Sequence, residues 1–320
     1  QGPIYTVYEN GEWYPFTKDS KIVYLNKDNA IDPEFVSDKG PGPGDSHWDT
    51  RKVGKMLSDK AADFIAKQSP EQPFFVCYWS PNVHLPHCPP EEFNGVKVAG
   101  QSPTAHTDCI IELDQEVKAI VDALKQSGAF DNTLIIFSSD NGGLTDGPAD
   151  KAGHHSNGGF RGNKNQPYEG GHRVPFFATW PGKIQPGSVS AVPVATHDVL
   201  ATLAAIAGTL IPAGQAMDSA SLLPVLTSGS TALLHDEFLL QGGSKKELVY
   251  RKGDWKLIIQ SNNDATKFEP VALFNLGDNR LEKEGQNLLN TTEHKDRAAT
   301  MLKRYLELRN SGAATVTRHH

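Results

Sequence analysis

Apolar positions along the chain follow two periods. Val53, Met56, Leu57, Phe64 and Ile65 recur at helical spacing and predict an amphipathic helix over residues 49–68. Ile110, Leu113, Val117, Ile120, Val121 and Leu124 form a clearer stripe, which predicts a helix over 104–127 with Gly128 placed to end it. The run PFFVCYW (73–79) is apolar throughout, as buried strands are, and 133–138, with its apolar run Leu134–Phe137, and VPFFATW (174–180) read as further strands. Pro81, Pro86, Pro89 and Pro90 then forbid regular structure, so the first run empties into a loop. Residues 198–207 read as a helix ending at Gly208, and a Gly-rich loop covers 141–172. The first 48 residues hold no sustained period and read as loops with a hairpin at Asn10–Gly11.

The order strand, helix, strand suits an α/β fold with a largely parallel central sheet flanked by helices. In such sheets ligands sit beyond the carboxyl ends of the strands, here the loops after 73–79 and 133–138. Beyond about residue 232 the texture changes to short strands (EFLLQGG, ELVYRKG, DWKLIIQ, VALFNLG) and a helix at 293–309. The expected division is an α/β catalytic domain over 1–232 and a small C-terminal α+β domain, an antiparallel sheet with one helix, over 233–320.

Composition narrows the function classes. The 320 residues carry 31 Lys+Arg against 38 Asp+Glu, a net charge of -7, with no basic run. Nucleic acid is therefore an unsuitable partner, because phosphate contacts need clustered cations. No apolar run reaches the ~18 residues of a membrane span. The three cysteines, Cys77, Cys88 and Cys109, show no framework spacing and leave the redox compartment open. The chain opens on Gln1 without an initiator Met, which reads as part of a longer protein, and the terminal His319–His320 are set aside as native residues or a tag remnant.

Three segments hold candidate chemistry. In NTLIIFSSDNGGL (132–144), Asp140–Asn141 ends a strand. The pair is either a turn, which Asn-Gly favours, or two oxygen ligands of a hard cation such as Ca²⁺ or Mg²⁺. In SPNVHLPHCPP (80–90), His84, His87 and Cys88 admit a zinc fragment, a loop histidine, or His84 as a proton donor or anion contact. In GGFRGNKNQPYEGGHRVP (158–175), Lys164 is either a solvated lysine or a cation aimed at a tetrahedral oxyanion.

These segments, taken with THDVLATLAAIAG, MDSASLLPVLTSG, RKGDWKLI and LFNLGDNRLEKEGQNL in the same order, resemble the formylglycine-dependent sulfatases of the arylsulfatase type, in the alkaline phosphatase superfamily. The likeness runs from about residue 50 to about 310. It implies an alkaline-phosphatase-like fold and hydrolysis of sulfate esters, with sulfated carbohydrate as natural substrate and aryl sulfate as surrogate. By the resemblance, Asp140 and Asn141 match two Ca²⁺ ligands, Lys164 the lysine on the sulfate oxygens, and His84 the histidine that contacts sulfate or protonates the departing oxygen. His154, His155 and Asn157 fall where the family recognises substrate, and Glu169 with Arg173 reads as an internal ion pair. Family habit places the protein in the periplasm or outside the cell.

One departure matters. No Cys-x-Pro-x-Arg or Ser-x-Pro-x-Arg segment, the home of the formylglycine nucleophile, occurs in the chain, nor do the paired aspartates that complete the Ca²⁺ shell. These residues alone are expected to leave sulfate esters intact and to bind Ca²⁺ weakly. The rival readings are a phosphoesterase of the same superfamily and a calcium-stabilised, catalytically inactive sugar-binding protein. The first would use two transition metals and more His and Asp ligands, and the GNKNQPYEGGHRVP block argues against it.

Overall fold

A computed structural model describes residues 3–317, apart from 33–35, 37, 38, 70, 245, 313 and 314. His319 and His320 lie outside the described residues. The chain forms two compact units, residues 1–131 and 132–320. The division expected at 232 falls within the second.

The first unit opens with an antiparallel hairpin of β1 (Val7–Glu9) and β2 (Glu12–Tyr14). Its turn is the expected Asn10–Gly11, with φ of 53° and 85°, the left-handed pair that matches strand twist in a tight hairpin. β3 (Ile22–Leu25) and β4 (Gly42–Asp45) form a second antiparallel pair, which the irregular sequence there did not announce. Helix α1 (Val53–Ala66) follows a single 3-10 turn capped by the Asp49 carboxylate, which accepts from Arg51 N–H. A two-residue ladder of β5 (Glu92–Phe93) and β6 (Val96–Lys97) precedes α2 (Ala105–Gln126). Thr104 caps α2 by accepting from Thr107 N–H, and Gly128 takes φ 75° beyond its end, as expected.

The two helices pack in a way the apolar stripe did not foretell. The most buried α2 positions include Cys109, Glu112 and Glu116, while Ile110, Leu113, Val117, Ile120 and Val121 are half-buried. The buried face of α1 is small: Gly54, Ser58, Ala61 and Ile65. Gly54 lets the carboxyl groups in, since a Cβ there would lie 2.3 Å from Glu116 Oε1 and 2.5 Å from Glu112 Oε1. Burial, and next the charge of Glu116, push the Glu112 carboxyl up to about 7, although Asn82 opposes the shift.

Residues 73–79 alternate between half-buried and exposed, as a strand does, with Phe75 62% and Trp79 83% exposed. They carry no ladder among the described residues.

In the second unit β7 (Ile135–Ser138) leads to short helices α3 (Gly147–Lys151) and α4 (Glu169–His172), then β8 (Phe176–Thr179). β7 pairs antiparallel with β8, Ile135 opposite Thr179 and Ser138 opposite Phe176. The parallel ladder expected between successive strands is therefore absent among the described residues, where the one parallel contact is an isolated bridge from Tyr5 to Gly44. Element order gave the right α/β alternation, but pairing depends on which edges meet, and periodicity does not encode that.

Helices α5 (Asp198–Ile206) and α6 (Leu223–Ser228) follow. Then come β9 (His235–Gln241), β10 (Glu247–Lys252), β11 (Trp255–Ser261) and β12 (Phe268–Asn275), helix α7 (Lys295–Ser311) and β13 (Thr315–Thr317). These strands make a five-stranded antiparallel sheet, ordered β12-β11-β10-β9-β13, as the alternating C-terminal pattern predicted; the fifth strand was not foreseen. One face packs Tyr250, Leu257, Ile259 and Leu273 against Ala298, Met301, Tyr305 and Leu308 of α7. On the other face Ile258, Ala272 and Phe274 pack with Leu276 and Tyr168. A sheet covered on both faces explains why β11 reads as a nearly continuous apolar run.

The raised Glu112 carboxyl makes a pH prediction. Its stabilising contribution is complete below the unfolded value, 4.5, and is lost as pH rises through about 7. Glu112→Gln should match the wild type near pH 4 and be more stable near pH 8, by at most about 3 kcal/mol. Urea unfolding across that range checks this; a stability difference independent of pH would refute it.

Candidate active site

All but one of the predicted site residues lie in the second unit. β7 ends at Ser138, and the chain turns out through Asp140 and Asn141. The Asn141 amide donates to Asp140 Oδ1, which holds the two side chains side by side. Just beyond, Gly142 N–H donates to Gly171 O at 3.1 Å. A Cβ at Gly142 would lie 2.0 Å from Gly170 O, so this backbone-to-backbone contact with α4 requires glycine.

Lys164 is held by its own backbone. Its N–H donates to Gly143 O at 3.0 Å, and the neighbouring Asn165 accepts from Gly243 N–H at 2.8 Å. The lysine is thus tied both to the end of β7 and to the turn after β9. Its side chain is half-buried and forms no ion pair among the described residues. A lysine fixed in this way, with no carboxylate beside it, is available to an anionic ligand.

Asp140 and Asn141 line a polar cavity of about 210 Å³ together with Asn165, Gln166, His172, Gln241 and three glycines. Burial, and then the charge of Lys256, push His172 down to about 4. Its Nε2 is buried without a hydrogen-bond partner among the described residues. A neutral imidazole and several carboxamides can exchange hydrogen bonds with hydroxyl groups. Asp140 and Asn141 offer hard oxygen donors of the kind Ca²⁺ takes; it needs six to eight, so two are too few for a complete shell.

Lys164 and the other predicted residues are not among those that line this cavity. His155 is exposed and meets Asp150 at 3.1 Å. His154 is half-buried on the same loop. The Asn157 amide donates to Phe160 O and Gly162 O, both at 2.7 Å, and its oxygen accepts from Gly159 N–H, so this carboxamide is committed to shaping the loop. His84 belongs to the first unit, where it is exposed. Its Nδ1 lies 2.7 Å from Leu85 O and must donate to it, which leaves Nε2 for external chemistry.

A buried ionic clasp supports the Lys164 loop. The Lys256 ammonium lies 2.9 Å from Glu169 Oε1 and 2.8 Å from Glu282 Oε1. Glu169 also meets Arg173 at 2.6 Å, the ion pair expected from sequence. Burial alone would raise the Glu169 carboxyl, but Lys256 and Arg173 outweigh it and hold it at about 2. Glu282 is pushed upward by burial, with Lys256 and the Glu169 N–H opposing. No sequence period marks Lys256 or Glu282, because their partners are remote in the chain.

Among the described residues, one group of metal-ligating side chains gathers its atoms within 4.8 Å: His197, Asp198 and His235. Its carboxylate is already engaged. Asp198 accepts from His235 at 2.8 Å, Ala220 N–H at 2.9 Å and Ala195 N–H at 2.8 Å, which joins α5 to β9. It holds none of the predicted ligands. Nor does any cysteine fit the formylglycine expectation. Cys77 is exposed, Cys88 half-buried, and Cys109 is buried in α2 with its thiol pushed up to about 12 by burial and the nearby Glu112.

Comparison with known proteins agrees with this architecture. A solved structure from work on glycosaminoglycan metabolism by Bacteroides thetaiotaomicron superposes with a TM-score of 0.78 at 24% identity, covering 96% of this chain and 70% of that one. A second neighbour, the PsFucS1 sulfatase from Pseudoalteromonas sp., gives 0.63 at 20% identity, over 84% and 55%. The fold is thus the alkaline-phosphatase-like α/β type with a C-terminal antiparallel sheet. Residues 6–209 match the Sulfatase family profile, and the chain belongs to the sulfatase family. It is 30% identical to an N-acetylgalactosamine-6-O-sulfatase of Bacteroides thetaiotaomicron, over 87% of this chain and 55% of that protein. It is 34% identical to the human N-acetylgalactosamine-6-sulfatase, over 55% and 32%. The chain therefore spans about half or less of these curated relatives.

Replacing Lys256 with Met would leave Glu169 and Glu282 buried without the ammonium between them. The expected cost is about 3–5 kcal/mol, read as a lowered thermal midpoint of the second unit. A change within about 0.5 kcal/mol would show that the clasp does not hold the loop.

Proposed function

We propose that the complete protein is a calcium-dependent sulfatase acting on sulfated carbohydrate, with its formylglycine nucleophile contributed by residues other than these. The observation that carries this reading is at the end of β7: two hard oxygen donors at a polar cavity, and a lysine whose backbone is tied to Gly143 and whose side chain has no ion pair among the described residues.

In this reading Asp140 and Asn141 hold the cation. When bound, it supplies positive charge against the sulfate oxygens. Lys164 adds a second positive charge to the same oxygens, which stabilises the charge that builds as the S–O bond breaks. His84 presents Nε2 to the departing oxygen and protonates it, because a sugar alkoxide is too basic to leave unaided. His154 and His155 are the side chains we assign to sugar recognition, with Asn157 keeping their loop in shape. The relative named for N-acetylgalactosamine 6-O-sulfate supports an amino-sugar sulfate as first substrate to try. We place the complete protein in the periplasm or outside the cell. No helix among the described residues is long and apolar enough to cross a membrane.

In the full-length protein, Lys164→Ala should lower kcat/KM for a hexosamine 6-sulfate by about 10²–10³-fold. The fold should survive, since the lysine is held through its backbone. Sulfate and phosphate esters of one alcohol should be compared in the same preparation. Faster turnover of the phosphate ester, or a Lys164→Ala enzyme as fast as the parent, would defeat this assignment.

A further inference from the structure

The carboxyl pair of the first unit is costly and unexplained by packing. Glu116 is fully buried and Glu112 nearly so, yet no Lys, Arg or His pairs with Glu116 among the described residues. Two apolar residues in an α1–α2 interface would be more stable than two acids. α1 moreover gives up a side chain at Gly54 to admit them. Departures from the stablest packing of this kind collect where function constrains the fold.

The contacts of Glu116 show what is constrained. Its Oε2 accepts from Tyr78 OH at 2.6 Å, and its Oε1 accepts from Asn82 Nδ2 at 2.8 Å. Tyr78 is the last residue but one of the extended segment 73–79, and Asn82 lies two residues before His84. One rigid carboxylate on a long helix thus grips both ends of the short bridge that delivers His84. Past that bridge, His84 N–H donates to Pro81 O at 3.1 Å, and the ring is fixed by Leu85 O. Without this grip the segment would be a proline-rich loop with few backbone bonds of its own.

We infer that Glu116 is a positioning residue for sulfate-ester hydrolysis, acting through Tyr78 and Asn82 to hold the His84 imidazole where it meets the leaving oxygen. The inference rests on the reading of His84 as the proton donor.

The leaving group separates this role from a merely structural one. A nitrophenolate departs without a proton, whereas a sugar alkoxide does not. In the full-length enzyme, His84→Ala should lower kcat about 10²–10³-fold on a hexosamine 6-sulfate and less than about 10-fold on 4-nitrophenyl sulfate. Glu116→Gln, Tyr78→Phe and Asn82→Ala should follow the same pattern at about 5–50-fold on the sugar sulfate, with little change on the aryl ester and in KM. The double variant His84→Ala/Glu116→Gln should be no slower than His84→Ala alone. Tyr78→Phe and Asn82→Ala leave the helix pair intact and serve if Glu116→Gln misfolds. Equal losses on both esters, or losses that multiply with His84→Ala, overturn the positioning role while sparing His84. A His84→Ala enzyme with no leaving-group dependence overturns the His84 assignment, and this inference with it.

Discussion

The ammonium of Lys256 projects from the start of β11 into a site with no exposure to solvent, between Glu169 and Glu282. An isolated charge there would cost several kcal/mol. Its partners come from the first turn of α4 and from the segment beyond β12, so charge neutrality is reached only when both are seated on the sheet. Arg161 reinforces the seat by donating to Glu282 O and stacking on Tyr168. Glycine contacts then carry the constraint outward, from Gly171 to Gly142 and from Gly243 to Asn165. The positions of Asp140, Asn141 and Lys164 follow from that chain of contacts. The C-terminal sheet is thus the floor against which the candidate site is built.

The two units treat buried carboxyl groups in opposite ways. Glu169 has cations on two sides and stays ionised far below its usual range. Glu112 is pushed the other way, to about 7, by burial first and then by the second carboxyl group beside it. The first arrangement secures a loop by attraction. The second gives up stability to keep Glu116 within reach of Tyr78 and Asn82. Each lies beneath a candidate catalytic side chain, Lys164 in one unit and His84 in the other.

The strands show a similar contrast. The C-terminal sheet is complete, with α7 on one face, and its strands were read correctly from alternation and turn residues. The pair β7–β8 is a two-stranded ladder, with Phe177 of β8 66% exposed. Residues 73–79 keep the alternation of a strand without any ladder, and Trp79 points to solvent. An apolar run records a preference for burial; whether it becomes a sheet strand depends on a neighbouring edge that local sequence does not specify.

The helices at 53–66, 105–126, 198–206 and 295–311, the Asn10–Gly11 hairpin and the C-terminal strands were all determined by local sequence, because period, caps and turn residues act within a few positions. So were the candidates Asp140, Asn141, Lys164 and His84, whose residue types sit in segments of recognisable order. The tertiary structure alone decided how those groups are held. It gathered Asp140 and Asn141 with His172 and Gln241 around one cavity, and it spent Asn157 on its own loop. It also set Lys256 between carboxylates 87 residues back and 26 residues ahead in the chain, and brought Glu116 to Tyr78 across 38 residues. Contacts at such separations leave no period in the sequence: they arise when packing brings distant charges and hydrogen-bonding groups out of water together, where each must find a partner.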